Sequence, residues 1–300
     1  MFKDQLAEYV KNNEQLVAMR PAGDNLYVLK YKNRVFYDGL WNEYIEHCRG
    51  SIVDADFNLI AYPFTKIYNY GIEKSAPVLA DDVPVTAFRK VNGFMVACTW
   101  YNNDILVSTT GSTDSPYVAM AREMMLTHMP WNYWQAVFSS FEDLQGLTVM
   151  FECVHPDDPH IIPEKPGMYV LGYRENSWCS TVGHDPAMLK ALGYSLHCFV
   201  PETYETTVGE LKSMTKECRH EGFVFYTADG VSAKIKSPYY LTSKWVARNP
   251  RTDKLMREDF KKQIDEEYYG LIDAIRANIV EYTAMDEQAR LAWVREHLSC

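Results

Sequence analysis

Apolar and polar residues change places over short distances along most of this chain. Between about residue 25 and residue 240 the apolar positions gather into brief segments rich in β-branched and aromatic side chains. Examples are Leu26-Tyr27-Val28-Leu29, Ser51-Ile52-Val53, Phe94-Met95-Val96-Ala97-Cys98 and Ile105-Leu106-Val107. Leu147-Thr148-Val149-Met150-Phe151, Met168-Tyr169-Val170-Leu171 and Gly222-Phe223-Val224-Phe225-Tyr226 continue the series. Turn-forming residues separate them, so they predict strands. Pro116 to Met129 and Pro186 to Leu192 predict helices among them.

The pattern changes after Asn249-Pro250. Leu255, Phe260, Ile264, Tyr268, Leu271, Ile272, Ile275 and Ile279 fall at helical spacing, and Gln288 to Leu298 predicts a last helix. The chain therefore reads as α+β, with a body over 1–245 and a small helical C-terminal unit over 246–300. Residues 251–300 hold 8 Lys/Arg against 11 Asp/Glu, so the tail is not a basic arm, and packing or protein contact is the expected role.

Composition narrows the classes. The 300 residues are 47% hydrophobic and 23% charged, as in a globular protein. No apolar run reaches the roughly 18–20 residues of a membrane span. The start, Met1-Phe2-Lys3-Asp4-Gln5-Leu6, is too charged for a signal-peptide core. A cytoplasmic protein is expected. The seven cysteines are odd in number and form no C-x-x-C pair, which argues for reduced thiols and against a disulfide framework or a zinc site. The formal net charge of −10 lacks the overall basic footprint of a nucleic-acid binder, so any such contact must come from a local patch or from the active site itself.

Four short segments carry candidate chemistry. Lys90-Val91-Asn92-Gly93 means little alone, because average usage predicts roughly one K-x-x-G by chance in such a chain. Phe151-Glu152 sets a carboxylate among Val149, Met150 and Val154, where a charge needs a partner, either a structural ion pair or a functional one. Glu221-Gly222-Phe223-Val224-Phe225 reads equally as a turn-to-strand start. In Lys234-Ile235-Lys236-Ser237 the strand period puts both lysines on one face and Ile235 on the other. Two adjacent like charges suit a bound anion such as a nucleotide phosphate, or are simply solvated.

In this order, K-x-x-G, F-E, E-G-[FY]-V and K-x-K resemble motifs of the covalent nucleotidyltransferases, the ATP-dependent ligases and mRNA capping guanylyltransferases. Cys48-Arg49-Gly50, Pro63-Phe64-Thr65-Lys66-Ile67-Tyr68-Asn69, Arg174-Glu175-Asn176 and Lys234-Ile235-Lys236-Ser237-Pro238-Tyr239-Tyr240 are similar to segments of the phage RNA ligase 1 family. The resemblance covers roughly residues 25 to 245, and its weight lies in seven motifs in order.

The resemblance implies a nucleotidyltransferase (ATP-grasp-like ligase) core of antiparallel sheets with flanking helices. It implies a reaction in three steps: Lys90 takes AMP from ATP, AMP passes to an RNA 5′-phosphate, and a 3′-hydroxyl attacks that end. An ordinary lysine is almost wholly protonated at neutral pH, so the first step needs a lowered pKa. By the same resemblance Arg49 and Lys66 meet the β- and γ-phosphates, Lys234 and Lys236 the α-phosphate, and Glu152 the ribose. Glu221 matches a metal position, Tyr31 and Tyr240 match aromatic positions near the nucleotide, and Tyr173 covers the adenine face. ATP and Mg²⁺ are the implied cofactors. RNA with 5′-phosphate and 3′-hydroxyl ends is the implied substrate, in RNA (tRNA) repair, with a polynucleotide kinase/phosphatase acting upstream and no membrane partner.

Two departures from the family pattern stand out. Asn92 replaces a frequent Asp, which removes a negative charge. Ser108-Thr109-Thr110-Gly111-Ser112 lacks the basic side chains that the family carries there, so a phosphate contact is weaker or comes from elsewhere. A DNA ligase or capping enzyme is the near alternative, but each normally ends in a β-barrel, whereas this tail reads helical. A non-catalytic nucleotide- or RNA-binding module is the alternative of another class.

Overall fold

A computed structural model describes residues 1–71, 78–140, 144–248, 252–257, 260 and 269–298. In chain order these form α1 (Phe2–Asn12), β1 (Val17–Pro21), β2 (Leu26–Tyr31), α2 (Asn33–Tyr37), β3 (Arg49–Asp54), β4 (Leu59–Ala61), β5 (Tyr68–Asn69) and β6 (Pro84–Arg89). Next come β7 (Phe94–Tyr101), β8 (Asp104–Thr109), α3 (Pro116–His128), α4 (Trp131–Ser140), β9 (Leu147–Val154), β10 (Gly167–Glu175), β11 (Val182–Gly183) and α5 (Pro186–Ser195). The chain continues through β12 (Thr203–Thr207), α6 (Val208–Glu217), β13 (Gly222–Tyr226) and β14 (Ser232–Lys236). It closes with α7 (Pro238–Arg248), α8 (Thr252–Leu255), α9 (Tyr269–Ala277), α10 (Ile279–Ala284) and α11 (Glu287–Leu298).

Two compact units result. The first comprises 1–67, 93–158 and 164–202, and the second 68–92, 159–163 and 203–300. The first holds two antiparallel sheets, ordered β1-β2-β3-β4 and β11-β10-β9-β7-β8. Strand alternation lets the β1–β4 sheet bury both faces. Leu29 and Val53 pack with Leu6 and Val10 of α1, while Val28 and Ile52 pack with Leu106 of β8. The β7–β8 hairpin turns on Asn102 and Asn103, both at positive φ (50° and 60°), as a two-residue turn with right-handed strand twist requires.

The second unit holds the sheet β12-β6-β13-β14-β5, antiparallel except for the parallel β14–β5 pair. Helix α6 starts at a capping box, in which Thr207 and Glu210 satisfy each other's backbone N–H groups. Its Val208 and Leu211 cover Val85, Phe223, Phe225 and Ala233 on one face of the sheet. The C-terminal helices gather Val246, Leu255, Leu271, Ile272, Ile275 and Val294 around Tyr282, whose hydroxyl donates to Val246 O at 2.6 Å.

The α+β class and the sheet-and-helix core stand as expected from the sequence. All seven predicted strand segments lie in strands, and the helices over 116–129 and 186–192 are α3 and α5. The last helix, predicted from Gln288, begins one residue earlier. Ile264 and Tyr268 lie outside the described residues. Five of the described helices escape the apolar pattern: α1, α2, α4, α6 and α7. Helix α7 starts at Pro238, within the stretch read as β-rich, and runs across residue 245. Proline supplies the φ of a first helical turn without needing a donor there.

Candidate functional site

In the second unit the site follows from strand register. Arg89 faces Phe223 across β6–β13, and the ladder continues one step further, with Lys90 N–H donating to Gly222 O at 2.8 Å. Gly222 in turn faces Lys236 across β13–β14. Lys90, Gly222 and Lys236 therefore occupy one line across three neighbouring strands, each roughly 4.8 Å from the next. Only glycine fits the middle. Its φ is +130°, and a Cβ there would lie 2.1 Å from Ile235 O. Glu221, immediately before it, accepts from Lys90 Nζ at 3.0 Å, with the carboxylate side chain 5% exposed and the lysine 22%.

Lys234 faces Val224, one ladder step along. Ile235 packs into the core under α6, so the lysines on either side of it share the opposite face, as the strand period implied. Lys236 Nζ lies 5.5 Å from the ring centre of Tyr240, which is buried with Ile161, Ile162 and Ala247. Lys244 Nζ is equally far from that ring. Asn92 is 4% exposed, and its amide nitrogen has no hydrogen-bond partner among the described residues.

In the first unit, Glu152 sits on β9 between Met95 and Tyr169 of the flanking strands. The partner its burial demands is a backbone donor, since Gly93 N–H donates to its Oε1 at 3.0 Å. The glycine of K-x-x-G is needed for packing as well. A Cβ on Gly93 would meet Cys153 O at 2.2 Å.

Arg49 opens β3 and faces Lys30 on β2. It donates to Thr65 O at 2.9 Å and hydrogen-bonds Tyr31. Tyr31 stands edge-on to Trp41, with ring centres 4.8 Å apart, and Lys66 Nζ lies 4.1 Å from the centre of the same Trp41 ring. Arg174 holds this segment from the other side. It donates to Pro63 O at 3.3 Å and stacks on Tyr62, its guanidinium carbon 3.5 Å from the ring centre. Tyr173 faces Gly183 across β10–β11, and its ring covers that glycine so closely that a Cβ would lie 2.3 Å from it.

The predicted residues thus fall into two sets. Lys90, Glu221, Lys234, Lys236 and Tyr240 belong to the second unit, and Tyr31, Arg49, Lys66, Glu152 and Tyr173 to the first. Sequence reasoning did not single out Lys30, which faces Arg49, or Trp41, which lies against Tyr31 and Lys66. A lysine closing the otherwise apolar Leu26–Leu29 segment was the available signal for Lys30. Among the described residues no group of three or more His, Cys, Asp or Glu is arranged to hold a metal ion. No helix among them is long and apolar enough to cross a membrane.

The fold is that of the ATP-dependent polynucleotide ligases, a class of covalent nucleotidyltransferases. A putative ATP-dependent DNA ligase from Aquifex aeolicus superposes with a TM-score of 0.58 at 13% identity, covering 97% of this chain and 76% of that one. An archaeal ATP-dependent RNA ligase superposes at 0.55 with 15% identity, covering 97% and 75%. The chain belongs to the RNA ligase family, whose sequence profile matches residues 47–240. An RNA ligase of Rhodothermus phage RM378 is 25% identical over 185 aligned residues, which cover 50% of this chain and 41% of that protein. The matched region is thus less than half the length of that relative.

Proposed function

We propose that this chain is an ATP-dependent RNA ligase that joins a 5′-phosphate to a 3′-hydroxyl through a lysyl-AMP and an RNA-adenylate. The observation that carries the reading is the line Lys90–Gly222–Lys236 with Glu221 beside Lys90, within a chain of the RNA ligase family. Lys90 Nζ attacks the α-phosphorus of ATP. A nitrogen–phosphorus bond forms, the bridging oxygen leaves with pyrophosphate, and AMP stays on the lysine. Lys234 and Lys236 share a face of the same sheet and neutralise charge that develops on the α-phosphate. Glu152 meets the ribose, Arg49 and Lys66 meet the β- and γ-phosphates, and Tyr31, Tyr173 and Tyr240 frame the nucleotide.

The ion pair has a direct consequence for the first step. A carboxylate 3.0 Å away favours the ammonium form of Lys90, which cannot attack. Glu221 offers the oxygen donor that a hard divalent cation takes, and Mg²⁺ usually needs only one or two carboxylates besides substrate phosphates. A cation held by Glu221 would supply neutralisation of phosphate charge. It would also compete with Lys90 for the Glu221 carboxylate. We assign Mg²⁺ to that role.

RNA is favoured over DNA because the family match is to RNA ligases, whereas the likeness to the Aquifex ligase concerns the fold alone. The natural setting on this reading is RNA (tRNA) repair in the cytoplasm, with a polynucleotide kinase/phosphatase preparing the ends and residues 246–300 acting as a helical domain of their own. Incubation with ATP and Mg²⁺ followed by intact-mass measurement tests the central step. One AMP is expected on the wild-type chain and none on Lys90→Ala. An adduct that survives the substitution sinks the reading. Matched RNA and DNA ends then separate the two substrates.

A further inference from the structure

The end of β8 has no basic side chain, yet positive charge reaches it. Gly50 brings this about. Its φ is +104°, and a Cβ there would lie 2.9 Å from Thr110 Cα, so only glycine lets β3 approach the end of β8 so closely. Strand pairing then lines up Arg20, Lys30 and Arg49 on one face of the first sheet. Arg20 faces Val28 across β1–β2, and Lys30, two residues on, faces Arg49 across β2–β3. Lys30 Nζ donates to Thr110 Oγ1 at 3.3 Å, and Arg20 Nη1 donates to Gly111 O at 3.2 Å. Gly111 is the residue that leaves room, since a Cβ on it would meet Arg20 Nη1 at 3.2 Å.

We propose that Arg20 and Lys30 join Arg49 in a polyphosphate-binding cluster. It supplies from β1–β3 the cations that Ser108–Ser112 lacks, and it takes the β- and γ-phosphates of ATP and the pyrophosphate split from it. The proposal rests on the ligase reading for the source of the polyphosphate.

Each of the three cations meets only neutral groups: a hydroxyl, carbonyls and the Tyr31 ring and phenol. None of them forms an ion pair among the described residues. Burial, then Arg49 and Arg20, push Lys30 down to about 8. Three unneutralised charges at neighbouring ladder positions suit a compact group of several negative charges better than a single phosphodiester.

Calorimetry of the full chain with inorganic pyrophosphate tests the cluster. Lys30→Met is expected to weaken binding about tenfold or more, the size of a lost charge-assisted hydrogen bond. It should raise KM for ATP in AMP transfer to Lys90 by a similar factor. Adding Thr110→Lys to Lys30→Met should restore both, and Lys32→Met, an exposed neighbouring charge, should change neither. Should Lys30→Met fail to fold, Lys30→Arg, expected to bind like wild type, and Arg20→Gln, expected to bind more weakly, decide the matter. Unchanged pyrophosphate affinity in Lys30→Met and Arg20→Gln overturns the cluster. So does a defect seen only with a 5′-phosphorylated RNA oligomer, because the phosphate is then the RNA's. A wild-type chain that binds pyrophosphate through Lys30 but takes no AMP sinks the ligase reading and leaves the anion site standing.

Discussion

In the second unit Lys90 lies 3.0 Å from a buried carboxylate, whereas in the first unit Lys30 faces Arg49 and meets no carboxylate among the described residues. Both lysines are half-buried at the ends of strands, and both positions are set by pairing with a neighbouring strand. Their electrostatic surroundings are opposite. A carboxylate neighbour favours the ammonium form of a lysine and orients it, as Glu221 does for Lys90. Cationic neighbours destabilise the ammonium form of Lys30, so the site gains most when an anion arrives. Lysine burial alone therefore does not reveal a role. On the proposed reading, the sign of the paired charge separates the lysine that takes AMP from the lysine that receives phosphate.

The largest expected effect comes from Lys90→Arg. The guanidinium keeps the charge and can still pair with Glu221, but it stays protonated and cannot act as the nucleophile. AMP labelling, read by intact mass, should fall to background while the thermal midpoint stays near wild type. Labelling of the arginine variant would break the contrast drawn between the two lysines.

Gly222→Ala comes next. The new methyl would press on Ile235 O in a backbone conformation that favours glycine. Urea unfolding should show a loss of roughly 2–4 kcal/mol. Full stability would mean that the line from Lys90 to Lys236 tolerates rearrangement. Glu152→Ala, in the first unit, leaves Gly93 N–H without its acceptor and should cost about 1–3 kcal/mol. Glu152→Gln retains an acceptor and should cost less, and equal losses would argue that the charge itself is what matters there.

The smallest effect is a pH dependence specific to Lys30. Its folded value, about 8, lies below its ordinary value of 10.5, with Arg20, Arg49 and Tyr31 as its charged and titratable neighbours. Between those limits the unfolded chain still holds the proton and the folded chain has lost it. Stability from this group is therefore lowest below pH 8 and recovers as the pH rises through that point. Pyrophosphate affinity should move the other way and decline above pH 8 in wild type. Lys30→Arg, which keeps its charge, should show a shallower decline, and identical profiles would remove Lys30 from the anion site.

The sequence alone determined the strand segments, the α+β class and the order of the motifs, because a strand's period and its turn residues are local properties. The facing of Lys234 and Lys236 followed from that period. The need for a partner at Glu152 followed from its apolar neighbours, but not that the partner is the N–H of Gly93, 59 residues earlier. Helix α7 was hidden because its apolar residues serve two separate clusters and form no clean stripe. The pairing of Lys90 with Glu221 and the gathering of Arg20, Lys30 and Arg49 beside Thr110 depend on strand order and register. Those are settled by contacts between residues far apart in the chain, and a one-residue slip would send the same side chains to the opposite face. Motif spelling thus pointed to the family, while long-range pairing chose each charge's neighbour.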